Sequence, residues 1–311
     1  MASKFYPTSK KLLLFFASTL LLLSAQAQNP VVTENSLTGA PYSEWGVPDF
    51  RDNSIHGFST RMSLNAGETV RFKVNVQPAA NFTLKIYRIG YYNGAGARLI
   101  HDAGVISGVT QPQGISDPET GLLDCSNWSE SASWNIPSAA VSGLYIAKLE
   151  RQGGGSNHIA FVVRNDASNS DLVVQMPDAT WQAYNGYGGN SLYDGGTSYP
   201  SGHAVKVSYN RPFFPYNTMF NSEGKEADWY MNAVYPMIRW LERNGYNATY
   251  IASNDVATKP ALLLNHKVYV AVGHDEYWSK EQRANVEAAL AAGVHLAFFT
   301  GNEVYWKTRW E

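Results

Sequence analysis

The sequence predicts a multidomain β plus α/β protein, with an N-terminal β-sandwich domain over residues 28–166 and a parallel-sheet α/β domain over residues 167–311. Two observations predict this division. Before residue 165, polar and apolar residues alternate in short runs separated by Gly, Pro, Asn and Ser clusters, which is typical of a sandwich. After the polar stretch 165–170 the pattern changes to strand, helix, strand, which is typical of a parallel sheet with right-handed crossovers.

The predicted sandwich strands are short and alternate in polarity. Residues 69–76 (TVRFKVNV) and 82–89 (FTLKIYRI) show the alternation, and residues 144–149 and 158–163 form a closing pair. No Cys-Trp-Cys framework indicates a true immunoglobulin domain. The nearby cluster of Tyr87, Tyr91 and Tyr92 either packs or binds a sugar, and packing is the favoured interpretation.

The α/β half is predicted from continuous apolar strands and amphipathic helices. A first helix is expected over residues 228–242, where Pro236 indicates a kink or a late start. A second helix is expected over residues 279–292, because Ser279 and Gln282 form a capping-box pattern and Gly293 stops it. The expected strands are 171–176, 248–252, 268–272 and 294–300, with a short helix at 260–264.

The first residues are predicted to be a secretory signal peptide. Lys10 and Lys11 precede an apolar run over residues 12–23, and a small-x-small pattern over residues 25–27 suggests cleavage near residue 27. We therefore expect a secreted or cell-surface protein that is not transmembrane. The net charge of −2 gives no reason to expect nucleic acid as a partner. The single cysteine, Cys125, excludes an internal disulfide and is interpreted as a buried small residue.

The segment VYVAVGHDEYW (residues 268–278) carries the candidate site. His274, Asp275 and Glu276 follow a buried strand, and parallel sheets place ligand sites at the carboxyl ends of their strands. The plain alternative is that Glu276 only supports the start of a helix. A long tyrosine-rich insertion over residues 177–225 precedes the first helix, and a loop of this length in a compact domain is usually functional.

Several other classes of site lack their motifs. The sequence has no G-x-S-x-G elbow, no Walker A run, no complete dinucleotide fingerprint and no H-E-x-x-H or paired-cysteine zinc spacing. His274 to Glu276 occupy the turn that would hold a nucleophile in an amidotransferase triad. Glu276 and Glu303 follow neighbouring strands, and a carboxylate-pair glycosidase is a third hypothesis.

Five segments resemble the N,N-dimethylformamidase large (beta) subunit-like C-terminal domain family, and a sixth resembles the region that precedes this domain in related proteins. They are WQAYN (181–185), VSYNRP (207–212), RWLE (239–242), GHDEYW (273–278), GNEVYW (301–306) and, in the preceding half, YRIGYYNGAGAR (87–98). The resemblance implies a glutamine-amidotransferase-like fold for the α/β domain. It also implies that this domain continues beyond residue 311 and has another catalytic glutamate there, so that it is incomplete here.

The resemblance implies hydrolysis of a small amide by mononuclear ferric iron held by two tyrosines and one glutamate. Carried over, the ligands are Glu276, Tyr184 and Tyr209, with Tyr230 and Tyr193 as rivals for the second tyrosine. Phenolate and carboxylate oxygens are hard ligands that favour ferric iron. Besides Glu276, the predicted catalytic residue is His274, which would orient Glu276 or relay a proton.

The resulting hypothesis is an exported metal-dependent hydrolase of C–N (amide) bonds that acts on a small-molecule substrate. A homo-oligomer and a small partner subunit both remain open. The alternative is a non-catalytic cell-surface or glycan-binding protein.

Overall fold

A computed structural model of the chain describes residues 29–193, 202–215 and 229–311. The predicted signal peptide and residue 228 lie outside these ranges. The described part is mostly β, with several sheets, some helices and a four-stranded parallel sheet. Within it, no helix has both the length and the apolar composition needed to cross a bilayer.

The first half forms two larger sheets. One has five strands in the order β2-β10-β9-β4-β5, and the other has three in the order β1-β3-β8. Short helices precede the sheets, and β6 and β7 form a small hairpin. The bounds are α1 Pro30–Asn35, α2 Tyr42–Trp45, β1 Ile55–Ser59, β2 Ser63–Asn65, β3 Thr69–Val76, β4 Asn81–Ile89, β5 Ala97–Ser107, β6 Ile115–Asp117, β7 Leu122–Asp124, β8 Ala132–Asn135, β9 Gly143–Arg151 and β10 Ser156–Arg164, with a 3-10 turn at Tyr92–Gly94.

Alternating side chains from both sheets share one apolar core. The rings of Phe72 on β3 and Phe161 on β10 are fully buried, with centroids 5.7 Å apart in an edge-to-face arrangement. The strands predicted from alternation are confirmed as β3, β4, β9 and β10. The edge strand β5 was not predicted, because polar residues and Gly104 interrupt the apolar pattern of a largely exposed strand.

The second half forms a parallel sheet of four strands in the order β12-β11-β13-β15. All four strands were predicted. A further short parallel pair, β14 and β16, was not. The bounds are β11 Leu172–Met176, α3 Asp178–Tyr184, α4 Val234–Arg243, β12 Ala248–Ala252, α5 Ser253–Thr258, a 3-10 turn Pro260–Asn265, β13 Val268–His274, β14 Tyr277–Ser279, α6 Lys280–Ala291, β15 His295–Gly301 and β16 Trp306–Thr308.

The N-terminal ends of two helices, α4 and α6, differ in detail from their predictions. Helix α4 begins at Val234, so Pro236 lies in its first turn, where a helix leaves backbone N–H groups unpaired. The late start was therefore the right alternative. At α6, Ser279 Oγ accepts from Gln282 N–H as predicted, at 3.1 Å. The Gln282 side chain does not complete a capping box, because its amide donates to Gln175 Oε1 at 3.0 Å.

The two halves are joined by a common apolar core. One face of the parallel sheet packs against α4 and against residues of the five-stranded sheet, including Ile146 and Val162. The other face packs against α5 and α6, through residues such as Val256 and Val286. The predicted boundary at residue 166 lies between β10 and β11 and remains a prediction.

Candidate functional site

The predicted site lies at the carboxyl end of β13. Strands β12 and β13 follow β11 in the sequence and pair with its two opposite edges. The direction in which strands are added to the sheet therefore reverses between β11 and β13. Ligand sites of open α/β sheets occur in the crevice at such a reversal. Gly273, with a φ of +82°, gives the backbone a turn that side-chain-bearing residues rarely adopt. It leads directly into His274, Asp275 and Glu276.

Tyr184, His274 and Glu276 meet at this turn. The Tyr184 hydroxyl donates to Glu276 Oε2 at 2.6 Å, and His274 Nε2 lies 3.2 Å from the same oxygen. The Glu276 backbone N–H donates to Thr180 Oγ1 at 2.9 Å. Thr180 and Tyr184 both belong to α3, so this helix positions both the backbone and the carboxylate of Glu276.

A strained loop brings one more polar group to the cluster. Asn302 Nδ2 lies 3.2 Å from His274 Nε2. Asn302 and Val304 have φ values of +52° and +56°, and a β-branched residue rarely occupies that region. The loop is held by the Val304 N–H, which donates to the Asp275 carbonyl at 3.2 Å. Sequence reasoning placed this loop in a family motif but gave Asn302 no role.

The other predicted tyrosines lie in different places. Tyr209 donates its hydroxyl to Asp178 Oδ2 at 2.8 Å, at the end of α3 opposite Tyr184. Tyr230 is fully buried, with its hydroxyl 2.6 Å from His158 Nδ1. The Tyr193 ring stacks on that of Tyr184 at 4.9 Å. The structure thus brings Tyr184, His274 and Glu276 together, and Tyr209 remains a prediction as the second ligand.

The sequence analysis named Asp275 and Glu303 but did not predict their burial beside the turn or the contact of Asp275 with Gln175. Asp275 is fully buried and accepts from Gln175 Nε2 at 2.7 Å. Burial raises the pKa of Asp275 well above its ordinary value, and the Glu303 charge adds to the effect. Burial also raises the pKa of Glu303 to about 7. The available signal was Gln175, a polar residue inside the otherwise apolar strand β11.

Asp178 gives a pH-dependent prediction. Burial raises its pKa to about 6, although hydrogen bonds from Ser253 and Tyr209 lower it. Because the folded pKa exceeds the ordinary value of 3.8, the stabilising contribution is complete below that value and is lost as the pH rises through 6. In Asp178→Asn, urea unfolding should show a smaller loss of unfolding free energy between about pH 4 and pH 6 than in the wild type. If the unfolding free energies of the variant and the wild type changed equally with pH, the pKa of Asp178 would not be raised in the folded protein.

The chemistry of the cluster is that of hard oxygen donors. In residues 29–193, 202–215 and 229–311, no three His, Cys, Asp or Glu side chains are grouped to hold a metal ion. A metal site that uses tyrosine oxygens has donor atoms other than those of His, Cys, Asp and Glu alone, so it would not be among such groups. The Tyr184 and Glu276 oxygens, 2.6 Å apart, fit two neighbouring positions on a hard cation in composition and proximity.

Two other sequence interpretations concern residues away from the turn. Cys125 is buried as predicted, beside Phe58 and Trp128, and burial raises its pKa to about 12. A thiol with this pKa is a poor nucleophile at neutral pH. Tyr87 and Tyr92 are also buried, which confirms packing as their role.

Comparisons with known proteins identify the family. No match is found among curated proteins. Among solved structures, an uncharacterized protein from Bacillus anthracis str. Ames is 16% identical over 34% of this chain and 82% of its own, with a TM-score of 0.20. A cycloisomaltooligosaccharide glucanotransferase from Paenibacillus sp. is 10% identical over 70% of this chain, with a TM-score of 0.23, and the match spans only 19% of its length. Such low similarities carry no argument about function.

The family model for "N,N-dimethylformamidase beta subunit-like, C-terminal" matches residues 83–311. That range includes the five-stranded sheet from β4 onward, the whole parallel sheet and the cluster of Tyr184, His274 and Glu276. Because it covers well over half of the sequence, the chain belongs to the N,N-dimethylformamidase beta subunit-like, C-terminal family.

Proposed function

We propose that this protein is an exported, metal-dependent hydrolase that acts on the C–N bond of a small amide. The observation that carries the proposal is the convergence of Tyr184 and His274 on one oxygen of Glu276, at 2.6 and 3.2 Å. Family membership supports a hydrolase-like activity. The location at the carboxyl end of a parallel sheet supports a ligand site.

The proposal includes a finer description of the fold. The two sheets that share the Phe72 and Phe161 core would form a β-sandwich domain. The parallel sheet, with helices on both faces, would form a glutamine-amidotransferase-like domain. Strand order β12-β11-β13-β15 and the reversal beside β11 support this description.

The proposed cofactor is one ferric ion held by Glu276, Tyr184 and a second tyrosine. Tyr209 is the predicted second ligand, and Tyr193 is its rival because its ring stacks on Tyr184 at 4.9 Å. When bound, a ferric ion would supply Lewis acidity toward the carbonyl oxygen of an amide.

The remaining roles belong to residues of the chain. His274 Nε2 is placed to exchange a proton beside Glu276, as a general acid or base requires. Asn302, 3.2 Å from that nitrogen, would orient the imidazole. Thr180 fixes the backbone of Glu276 through its hydroxyl. Glu276 is only 4% exposed, so water has little access to the carboxylate.

Metal analysis tests the proposal directly. Purified protein should contain about one iron per chain and show a visible tyrosinate-to-iron absorption band. Glu276→Ala and Tyr184→Phe should lose both iron and colour, because each removes a ligand oxygen. Comparison of Tyr209→Phe with Tyr193→Phe should identify the second tyrosine ligand. Only the variant that lacks this ligand should lose or shift the absorption band.

Two results would count against the hydrolase. A colourless, metal-free protein that binds oligosaccharides would favour the glycan-binding alternative. Sugar hydrolysis without metal, lost in both Glu276→Gln and Glu303→Gln, would favour a carboxylate-pair glycosidase.

A further inference from the structure

A partly enclosed cavity lies between the five-stranded and three-stranded sheets on one side and the start of α3 on the other. Its volume is about 30 Å³, enough for one or two water molecules or a small ion. Residues His158, Asp178, Trp181, Arg211, Phe213 and Trp229 are among those that line it. Tyr209, the predicted second iron ligand, also lines it, whereas Tyr184, His274 and Glu276 do not.

Arg211 brings a buried positive charge to this cavity and forms no ion pair within the described residues. Its side chain is 1% exposed, and its terminal nitrogens donate to the backbone carbonyls of Tyr187, Asn190 and Gln182 at 3.1 to 3.2 Å. These acceptors are neutral, and no carboxylate forms an ion pair with Arg211 anywhere in the described ranges. Arg211 Nε is buried and has no hydrogen-bond partner among the described residues. A buried guanidinium normally has an anionic partner.

Trp229 supplies a second unused donor to the same cavity. Its ring stacks on Phe213 with centroids 3.8 Å apart, and the residue is 5% exposed. Within the part of the chain that the structure describes, its indole Nε1 is buried and has no hydrogen-bond partner. An indole nitrogen can only donate, so its natural partner is an acceptor.

The other titratable groups that line the cavity are already engaged. Asp178 accepts from the Ser253 N–H at 2.6 Å and from the Tyr209 hydroxyl at 2.8 Å. Both ring nitrogens of His158 have partners at 2.6 Å, namely the Tyr230 hydroxyl and the Trp45 carbonyl. The unused polar atoms of Arg211 and Trp229 are therefore both N–H donors, and one of them carries a positive charge.

We propose that this cavity binds a small monovalent anion, such as chloride, nitrate or formate, between the Arg211 Nε–H and the Trp229 Nε1–H. A water molecule could accept from the two donors but would leave the guanidinium without a counter-charge. The aromatic walls and the small volume exclude large anions. Because Arg211 ties together the backbone of residues 182–190, a bound anion would stabilise the segment that follows α3.

The full-length chain can be titrated with sodium chloride, nitrate and formate at constant ionic strength, with gluconate as the large counter-anion. At least one of the small anions should raise the midpoint of thermal unfolding in a saturable way. If formate but not chloride raises the unfolding midpoint, the natural ligand is a carboxylate. If chloride but not formate raises it, the ligand is a halide. Either result supports an anion site.

The decisive variant is Trp229→Phe, which keeps the aromatic stack and removes one donor. Its apparent affinity for the anion should fall about tenfold. Trp278→Phe is the matched control, because it also removes a buried indole N–H but does not line the cavity. This variant should bind the anion with wild-type affinity. The absence of any saturable response, or equal affinity in Trp229→Phe and the wild type, would show that the cavity holds only water. Bromide anomalous scattering next to Arg211 Nε in a crystal would confirm the site.

Discussion

Glu276→Gln should lower kcat/KM for amide hydrolysis by at least about 10²- to 10⁴-fold, because it removes a ligand of the proposed iron and the partner of His274. This carboxylate accepts the Tyr184 hydroxyl at 2.6 Å and lies 3.2 Å from His274 Nε2, so its negative charge is the centre of the cluster. The substitution keeps the shape of the side chain and removes the charge. Release of amine or ammonia from a panel of small amides would measure the loss.

His274→Ala should show a smaller loss, of about 10²-fold, because it removes a proton carrier and leaves the Tyr184–Glu276 contact in place. It should retain iron, whereas Glu276→Gln should not. This difference separates loss of proton transfer from loss of the cofactor.

A matched surface variant controls for general effects of charge removal. Glu287 on α6 is 63% exposed and, within the described residues, forms an ion pair only with Arg283, at 2.8 Å. Glu287→Gln should therefore keep wild-type turnover and iron content. If Glu276→Gln folds normally and hydrolyses amides as fast as Glu287→Gln does, the cluster is not the catalytic site.

The strands of the parallel sheet could be predicted because their apolar runs are a local signal. Residues 268–272 form such a run, and β13 extends it by only two residues to His274. Helix α5 could not be predicted in the same way. Ser253–Thr258 is a short polar segment with acidic Asp255 in its first turn, and its folding depends on burial against the sheet.

The residues of the site, like the helices and strands, could be predicted only where the sequence has a local pattern. Glu276, His274 and Tyr184 could be named because short motifs contain them, and the structure brings all three together. The contacts of Tyr209 with Asp178 and of Gln175 with Asp275 join residues 31 and 100 positions apart. Neither pair has a local pattern, so only the three-dimensional packing of α3 and the neighbouring strands reveals them.

Arg88→Met should lower the free energy of unfolding by about 3–5 kcal/mol, because it leaves a buried charge unpaired. Arg88 on β4 and Glu242 on α4 form an ion pair at 2.7 Å across the two halves, and both side chains are fully buried. Glu242 also accepts from Asn35 Nδ2 at 2.7 Å and from the Tyr250 hydroxyl at 2.9 Å. Loss of the guanidinium would leave this carboxylate buried without its positive partner.

Two further variants show whether the effect comes from the unpaired charge. The double variant Arg88→Met/Glu242→Leu should recover part of the lost stability, because it removes the stranded carboxylate as well. Arg283→Met breaks an ion pair of similar length, 2.8 Å, whose partners are 65% and 63% exposed. Solvent already screens that pair, so its loss should cost only about 0.3–0.5 kcal/mol. Urea unfolding of the four proteins would measure these differences. Equal stabilities of Arg88→Met and Arg283→Met would contradict the view that a buried charge pair holds the five-stranded sheet to α4.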